Sequence, residues 1–446
     1  MSEEKISLEN IKSAHFIGIG GIGISAIARM LLLRGVRVSG SDQSDGEVID
    51  ELRKAGAVIN TGHSASNLPE DAELVIYTIA IPDSNPELVE ARNLGISLMT
   101  YPETLTAISE SHKTIAVAGT HGKTTTTGMT AHVLVELGED PTVVVGSFLK
   151  TANGGRSNFI AGKGEYFVVE ACEYKKSFLN ITPTIAIITN IEEDHLDFYK
   201  DIEDIKNAFF EFASRIKKNG ALVVNLGEAN SREVAEKVLK SRPDIKILDY
   251  SGIDPTIFHL KIPGQHNRLN ASAVLAVTKE LGMNDAEAAK SLENFSGTWR
   301  RFEYKGRTAG GAVVYDDYGH HPTELTATIA GASELFPDKK IVVVFQPHQY
   351  SRTKLLLDDF ARAFRGADSV YILPIYAARE APDPEVSSEI LTERIRQSKT
   401  VKNVSTLASF EEAQNILEGL GEDSVCIVMG AGDITEVANN LTKGSN

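Results

Sequence analysis

The chain is poor in cysteine, poor in positive charge and free of long hydrophobic runs. Its 446 residues hold two cysteines, Cys172 and Cys426, too few for a disulfide framework. No apolar stretch approaches the roughly 20 residues that a membrane-crossing helix needs; the longest, such as 341–345, are strand-sized. Lys plus Arg number 45 against 61 Asp plus Glu, a net charge of −16. That balance argues against general nucleic-acid binding and against docking on an anionic membrane. The opening MSEEKISLEN is polar and acidic, without the basic stretch and apolar core of a secretory leader. The expected location is the cytoplasm. At 42% hydrophobic and 24% charged residues, the composition excludes a largely disordered chain. The length allows about three domains.

What the sequence does contain is an alternation of short apolar runs with amphipathic stretches. The runs 14–19, 74–77, 114–118, 166–169, 184–188, 221–224, 313–315, 341–345, 369–373 and 425–429 read as strands. Most are apolar on both faces, as buried parallel strands are. Between them 24–33, 124–137, 322–335 and 355–364 read as helices. The pattern predicts an α/β fold of three domains: an N-terminal Rossmann-like domain, a central P-loop-like ATPase with a parallel sheet, and a C-terminal Rossmann-like domain. The polar 109–113 and the turn-rich 294–301 set the expected bounds at 1–110, 111–297 and 298–446.

Glycine-rich turns follow two of the strands. Gly18, Gly20 and Gly23, with Gly21 between, have the spacing of a dinucleotide fingerprint, and Asp42 lies where an acid would meet a ribose. Such a turn brings backbone N–H groups to a diphosphate; it specifies no nicotinamide. The second turn, Gly119-Thr120-His121-Gly122-Lys123-Thr124-Thr125, lies between a strand and a helix. It is a P-loop variant two residues shorter than the usual pattern. Its N–H groups cradle phosphates, Lys123 supplies a cation and the Thr124 hydroxyl can ligate Mg²⁺.

Further polar groups follow other strands. Glu170, in Glu170-Ala171-Cys172-Glu173, falls at a strand's carboxyl end, where α/β sheets bind ligands. Cys172 reads as inert packing. His195 follows Glu192, Glu193 and Asp194, a set that suits a second metal or a phosphate. His266, Asn267 and Asn270 could meet an adenine or a ribose, with Asn270 alternatively a local cap. Arg300 and Arg301 offer guanidinium groups for a transferring phosphoryl group. In the last domain, Asp317-Tyr318-Gly319-His320-His321-Pro322 and Gln346-Pro347-His348-Gln349-Tyr350-Ser351-Arg352 gather polar groups after strands. Helix capping by Asp317 or Thr323 is the plain alternative there.

The P-loop variant, the Glu170 run, Asp194-His195, Pro263-Gly264-Gln265-His266-Asn267 and the Asp317 to Pro322 run occur in the order seen in the Mur ligases. The chain resembles that family over nearly its whole length, and most closely the branch that adds L-alanine. The resemblance implies ATP-dependent joining of L-alanine to the lactyl carboxylate of UDP-N-acetylmuramate through an acyl phosphate, with Mg²⁺. It implies that Gly20, Gly21, Gly23 and Asp42 hold the UDP-sugar. It places ATP on residues 119–125, His266, Asn267, Asn270 and Arg301, and metal on Thr124, Glu170 and His195. Tyr318, His320 and Arg352 fall to the amino acid, and Lys123, His195, Arg301 and His320 to the chemistry. The expected assembly is a monomer or a homodimer.

Three positions depart from the family pattern: Phe210, where ligases of later amino acids carry a modified lysine; Gln349, in place of a basic residue; and Arg379, in place of glycine. The alternatives are a ligase that recycles a whole tripeptide onto UDP-N-acetylmuramate, an NAD-dependent oxidoreductase, and a nucleotide-gated binding module.

Overall fold

In the computed structural model, residues 8, 10–150, 156–196, 198–378 and 380–442 are described. Arg379 lies outside them. The chain packs as two compact units. One comprises 1–257 and 269–292, the other 258–268 and 293–446.

The first unit holds two sheets. A five-stranded sheet runs Val58–Thr61, Arg37–Asp42, Ser13–Ile17, Leu74–Tyr77, Ser97–Thr100, parallel throughout. Numbered along the chain, that order is 3-2-1-4-5, the Rossmann order. A seven-stranded sheet runs Lys246–Asp249, Ala221–Val224, Ile185–Ile188, Lys113–Ala118, Tyr166–Glu170, Thr142–Lys150, Arg156–Ile160, with only the last pair antiparallel. The polar 109–113 is no loose linker. The helix Tyr101–Ser111 runs through it to His112, and the strand starts at Lys113. Lys217 Nζ caps that helix, donating to the carbonyls of Ser109, Glu110 and His112.

The second unit is built on a six-stranded sheet: Glu303–Arg307, Val313–Asp317, Ser424–Met429, Lys340–Phe345, Ser369–Ile372, Asn403–Thr406. Only its first pair is antiparallel. Its central strands are buried on both faces. Ile341, Val343 and Phe345 pack into one apolar cluster, and Val342 and Val344 into another. The same period-two division occurs in the P-loop strand, with Ala116 and Ala118 on one side, Ile115 and Val117 on the other.

All ten expected strands coincide with observed ones to within two residues. The expected helix 355–364 does not hold as one piece. Leu356, at φ −102° and ψ 23°, breaks it into Tyr350–Leu355 and Leu357–Ala363. Among the described residues no helix is long and apolar enough to cross a membrane.

Candidate active site

The P-loop follows the strand Lys113–Ala118 and opens the helix Lys123–Glu136. Gly119 (φ +138°) and Gly122 (φ +83°) adopt conformations that favour glycine. A Cβ on Gly119 would sit 1.9 Å from Thr189 Oγ1, and one on Gly122 2.9 Å from Asn270 Oδ1. The loop is therefore closely covered by the segment after the adjacent strand Ile185–Ile188 and by Asn270 of the helix Gln265–Glu280. Asn190 O accepts from Thr120 N–H at 3.0 Å, and Asn190 Oδ1 accepts from His121 N–H at 2.9 Å. Asn190 Nδ2 and Thr189 Oγ1 both donate to His121 O. Two of the N–H groups expected to cradle phosphate are thus spent inside the chain. No side chain caps the helix that follows, so its first N–H groups carry the anion-binding capacity.

Lys123 Nζ donates to Gly119 O at 2.6 Å, to Thr120 O at 3.0 Å and to Glu173 Oε1 at 3.0 Å. Burial acts to lower its pKa, but the charge and hydrogen bond of Glu173, together with the neighbouring Cys172 and Glu170, more than offset this and hold it up at about 12. The ammonium stays charged throughout the physiological range. Thr124 Oγ1 donates to Glu170 Oε1 at 3.0 Å, and Glu170 Oε2 accepts from Gly146 N–H at 2.9 Å. Thr124 and Glu170, read apart in the sequence, are in direct contact.

His195 (φ +53°) lies beside the same cluster. Its Nε2 is 3.7 Å from Glu173 Oε1 and 3.8 Å from Asp194 Oδ2, and its ring packs against Tyr174. Tyr199 Oη donates to Glu173 O, fixing that stretch of backbone. Glu173, Thr189, Asn190 and Tyr199 form part of this cluster, although the sequence reading assigned them no role. The signal for Glu173 was its place in the Glu170 run, three residues after Glu170. Cys172 is exposed rather than packed; Cys426 is the buried cysteine.

Asn270 lies inside the helix Gln265–Glu280 against Gly122, which overturns the local-cap reading. His266 and Asn267 fall to the second unit. Asn267 Nδ2 donates to Pro263 O, and burial chiefly holds the His266 pKa down at about 4.

In the N-terminal turn Gly18 has φ +79°, and Gly20 N–H donates to Asp42 Oδ2 at 2.8 Å. Asp42 thus binds the turn itself. A Cβ on Gly23 would lie 2.6 Å from the Tyr101 ring, so the helix approaches that ring closely. Gly21 precedes the same helix in extended conformation.

In the second unit the last sheet brings Tyr318, His320, His348, Arg352 and Tyr376 together. His320 Nδ1 is 3.1 Å from Tyr318 O. The rings of His320 and His348 are 5.6 Å apart, and His348 stacks on Tyr376. Arg352 Nη1 donates to His348 Nδ1 at 3.2 Å. Burial, then the Arg352 charge, hold His348 down at about 4, so it is neutral. Arg301 lies over the Tyr318 ring and 3.5 Å from Glu324. Arg300 is buried and structural, donating to Asp316 and to the carbonyls of Gly430 and Gly432. Neither Asp317 nor Thr323 caps the helix Pro322–Leu335. His321 does, with Glu324 completing a capping box.

Three family models match this chain: the Mur ligase family catalytic domain over 13–113, the Mur ligase middle domain over 117–257, and the Mur ligase glutamate ligase domain over 300–432. The chain belongs to the Mur ligase family. A UDP-N-acetylmuramate–L-alanine ligase of Clostridium novyi is 44% identical to it, covering 96% of this chain and 97% of the relative. One of Caldanaerobacter subterraneus is 42% identical, covering 98% of each. Among solved structures, the UDP-N-acetylmuramate-alanine ligase of Thermotoga maritima superposes with a TM-score of 0.77 at 29% identity, over 97% of this chain and 98% of that one. A murein peptide ligase of Psychrobacter arcticus shares the fold, with a TM-score of 0.64 at 22% identity over 97% and 98%.

Proposed function

We propose that this chain uses ATP to join L-alanine to the lactyl carboxylate of UDP-N-acetylmuramate. The observation that carries this reading is end-to-end similarity to ligases of that name, 44% identical in the example from Clostridium novyi. We assign the UDP-sugar to residues 1–110, through Gly20, Gly21, Gly23 and Asp42. ATP falls to 111–297, through residues 119–125 and Asn270, with His266, Asn267 and Arg301 completing its contacts. The amino acid falls to 298–446, through Tyr318, His320 and Arg352.

A free carboxylate is a poor electrophile, so it must be activated. The lactyl carboxylate attacks the γ-phosphorus of ATP, the bond to the β–γ bridging oxygen breaks, and ADP leaves. The amine of L-alanine then adds to the acyl carbon and loses a proton, and phosphate departs with the acyl–oxygen bond pair. Lys123 and the first N–H groups of the helix Lys123–Glu136 would offset charge on the phosphates. Arg301 would meet the transferring group, and His195 or His320 would take or direct the amine proton.

The donor set fits Mg²⁺. Thr124 and Glu170 supply oxygens, and Glu173 Oε2 nearby is a buried oxygen with no partner. Thr124 and Glu170 would hold one ion and His195 would stand near a second, and these would supply charge neutralisation on the phosphates.

The test is phosphate release from ATP with UDP-N-acetylmuramate, run with L-alanine, other amino acids, a tripeptide or no acceptor. Release that needs both the sugar nucleotide and L-alanine supports the reading. Release only with the tripeptide moves the chain to the recycling branch.

A further inference from the structure

An ammonium has three N–H donors, and those of Lys123 are all spent within its own surroundings. Two go to the carbonyls of Gly119 and Thr120, the third to Glu173 Oε1. The lysine is folded back over its loop. The Glu173 side chain is 3% exposed, and its second oxygen, Oε2, is buried without a hydrogen-bond partner. A buried carboxylate with one oxygen unsatisfied is held in place at a cost. Two features hold it: the Lys123 ammonium, and a backbone pinned by the Tyr199 hydroxyl on Glu173 O. Glu170 has a different set of contacts, with the Thr124 hydroxyl and the Gly146 N–H. The two carboxylates of the run therefore divide the loop between them.

We propose that Glu173 is a positioning residue that parks Lys123 when no nucleotide is bound and releases it to the phosphates when one arrives. The proposal rests on the reading of residues 119–125 as the ATP loop. A phosphate oxygen can reach the ammonium only by displacing one of its three present acceptors, and Glu173 is the charged one. Glu173 therefore competes with the nucleotide for Lys123. After release, the carboxylate faces His195, whose Nε2 is 3.7 Å from Oε1. It then stands ready to recapture the lysine as products leave.

The test is ADP binding by titration calorimetry without divalent metal, so that no metal–carboxylate contact enters. Glu173→Gln keeps the size and removes the charge. Glu173→Met, of similar volume, is a second neutral variant, and either one folded suffices. The expected result is ADP binding about tenfold tighter than in the wild type. In a Lys123→Met background the same change should give little or none of that gain, because no lysine remains to be parked. A merely structural role predicts weaker binding on substitution. Unchanged or weaker affinity in a folded neutral variant overturns the proposal. An equal gain in the Lys123→Met background also overturns it, since the effect would then be plain repulsion. If the wild type binds neither ADP nor ATP, with or without Mg²⁺, the ATP reading itself falls and this proposal with it.

Discussion

Lys123 carries two separable loads, one on stability and one on turnover, and substitutions can tell them apart. Lys123→Met deletes an ammonium that is 14% exposed and 3.0 Å from a carboxylate that is 3% exposed. It leaves Glu173 buried, charged and without its cation. Breaking a buried pair from one side costs about 3–5 kcal/mol. At about 2 °C per kcal/mol for a large unit, that lowers the thermal midpoint by roughly 6–10 °C. The same change removes the cation expected on the transferring phosphoryl group, and losing one such donor costs roughly 10²–10³ in turnover. Adding Glu173→Gln to Lys123→Met removes the stranded charge. The double variant should recover most of the lost midpoint and none of the lost turnover. Circular dichroism melting and a coupled ADP assay read the two effects independently. A Lys123→Met protein with wild-type midpoint would refute the stability argument. A double variant with wild-type turnover would refute the catalytic one.

Further predictions concern acid, backbone and imidazole. Burial alone would raise the pKa of Glu87, but hydrogen bonds from His15, Ser41 and Asn67 hold it down at about 2. A carboxyl depressed in the folded state adds stability above its unfolded value and loses it as pH falls. Glu87 should therefore contribute about 3 kcal/mol at pH 7, lost between about pH 4.5 and 2, and Glu87→Gln should flatten that limb in denaturant titrations. Asp317 has the opposite sign: burial pushes it up to about 6. Its contribution favours folding below about pH 4 and is lost as pH rises through 6, by about 3 kcal/mol, so Asp317→Asn should remove that slope from the pH profile of stability. Gly119→Ala brings a Cβ to 1.9 Å from Thr189 Oγ1 at φ +138°. It should abolish measurable ATP binding in a folded protein, and wild-type affinity would contradict the close covering of the loop. His348, held neutral by burial and Arg352, should show no imidazole titration by NMR between pH 5 and 8.

The fold was legible where burial writes an unbroken apolar run. Val343 and Val425 belong to such runs, and both lie in interior strands of their sheet. Every strand at a sheet edge escaped the sequence reading: Val58–Thr61, Ser97–Thr100, Arg156–Ile160, Lys246–Asp249, Glu303–Arg307 and Asn403–Thr406. Edge strands are solvated on one side and short, so their residues stay mixed in polarity. Two interior strands were missed as well, Arg37–Asp42 and Thr142–Lys150; in the first, Ser39 and the buried Ser41 are taken up in hydrogen bonds with His15, His63 and Glu87 rather than in apolar contact. The site was legible as loops that follow strands, since backbone N–H groups and a Lys-Thr pair leave a local signature. What the sequence could not show is how the polar groups pair. Asn190 takes up loop N–H groups from 69 residues away, and Glu173 rather than Glu170 holds Lys123. Such pairings depend on strand register across the sheet, which no local pattern encodes.

The central claim is activation of the lactyl carboxylate by phosphoryl transfer from ATP. The most direct measurement uses UDP-N-acetylmuramate with that carboxylate labelled in both oxygens with ¹⁸O, turned over with ATP and L-alanine, followed by mass analysis of phosphate and product. The account predicts one labelled oxygen in each phosphate released and one retained in the new amide of the alanyl product. Unlabelled phosphate formed alongside the alanyl product would contradict the acyl phosphate.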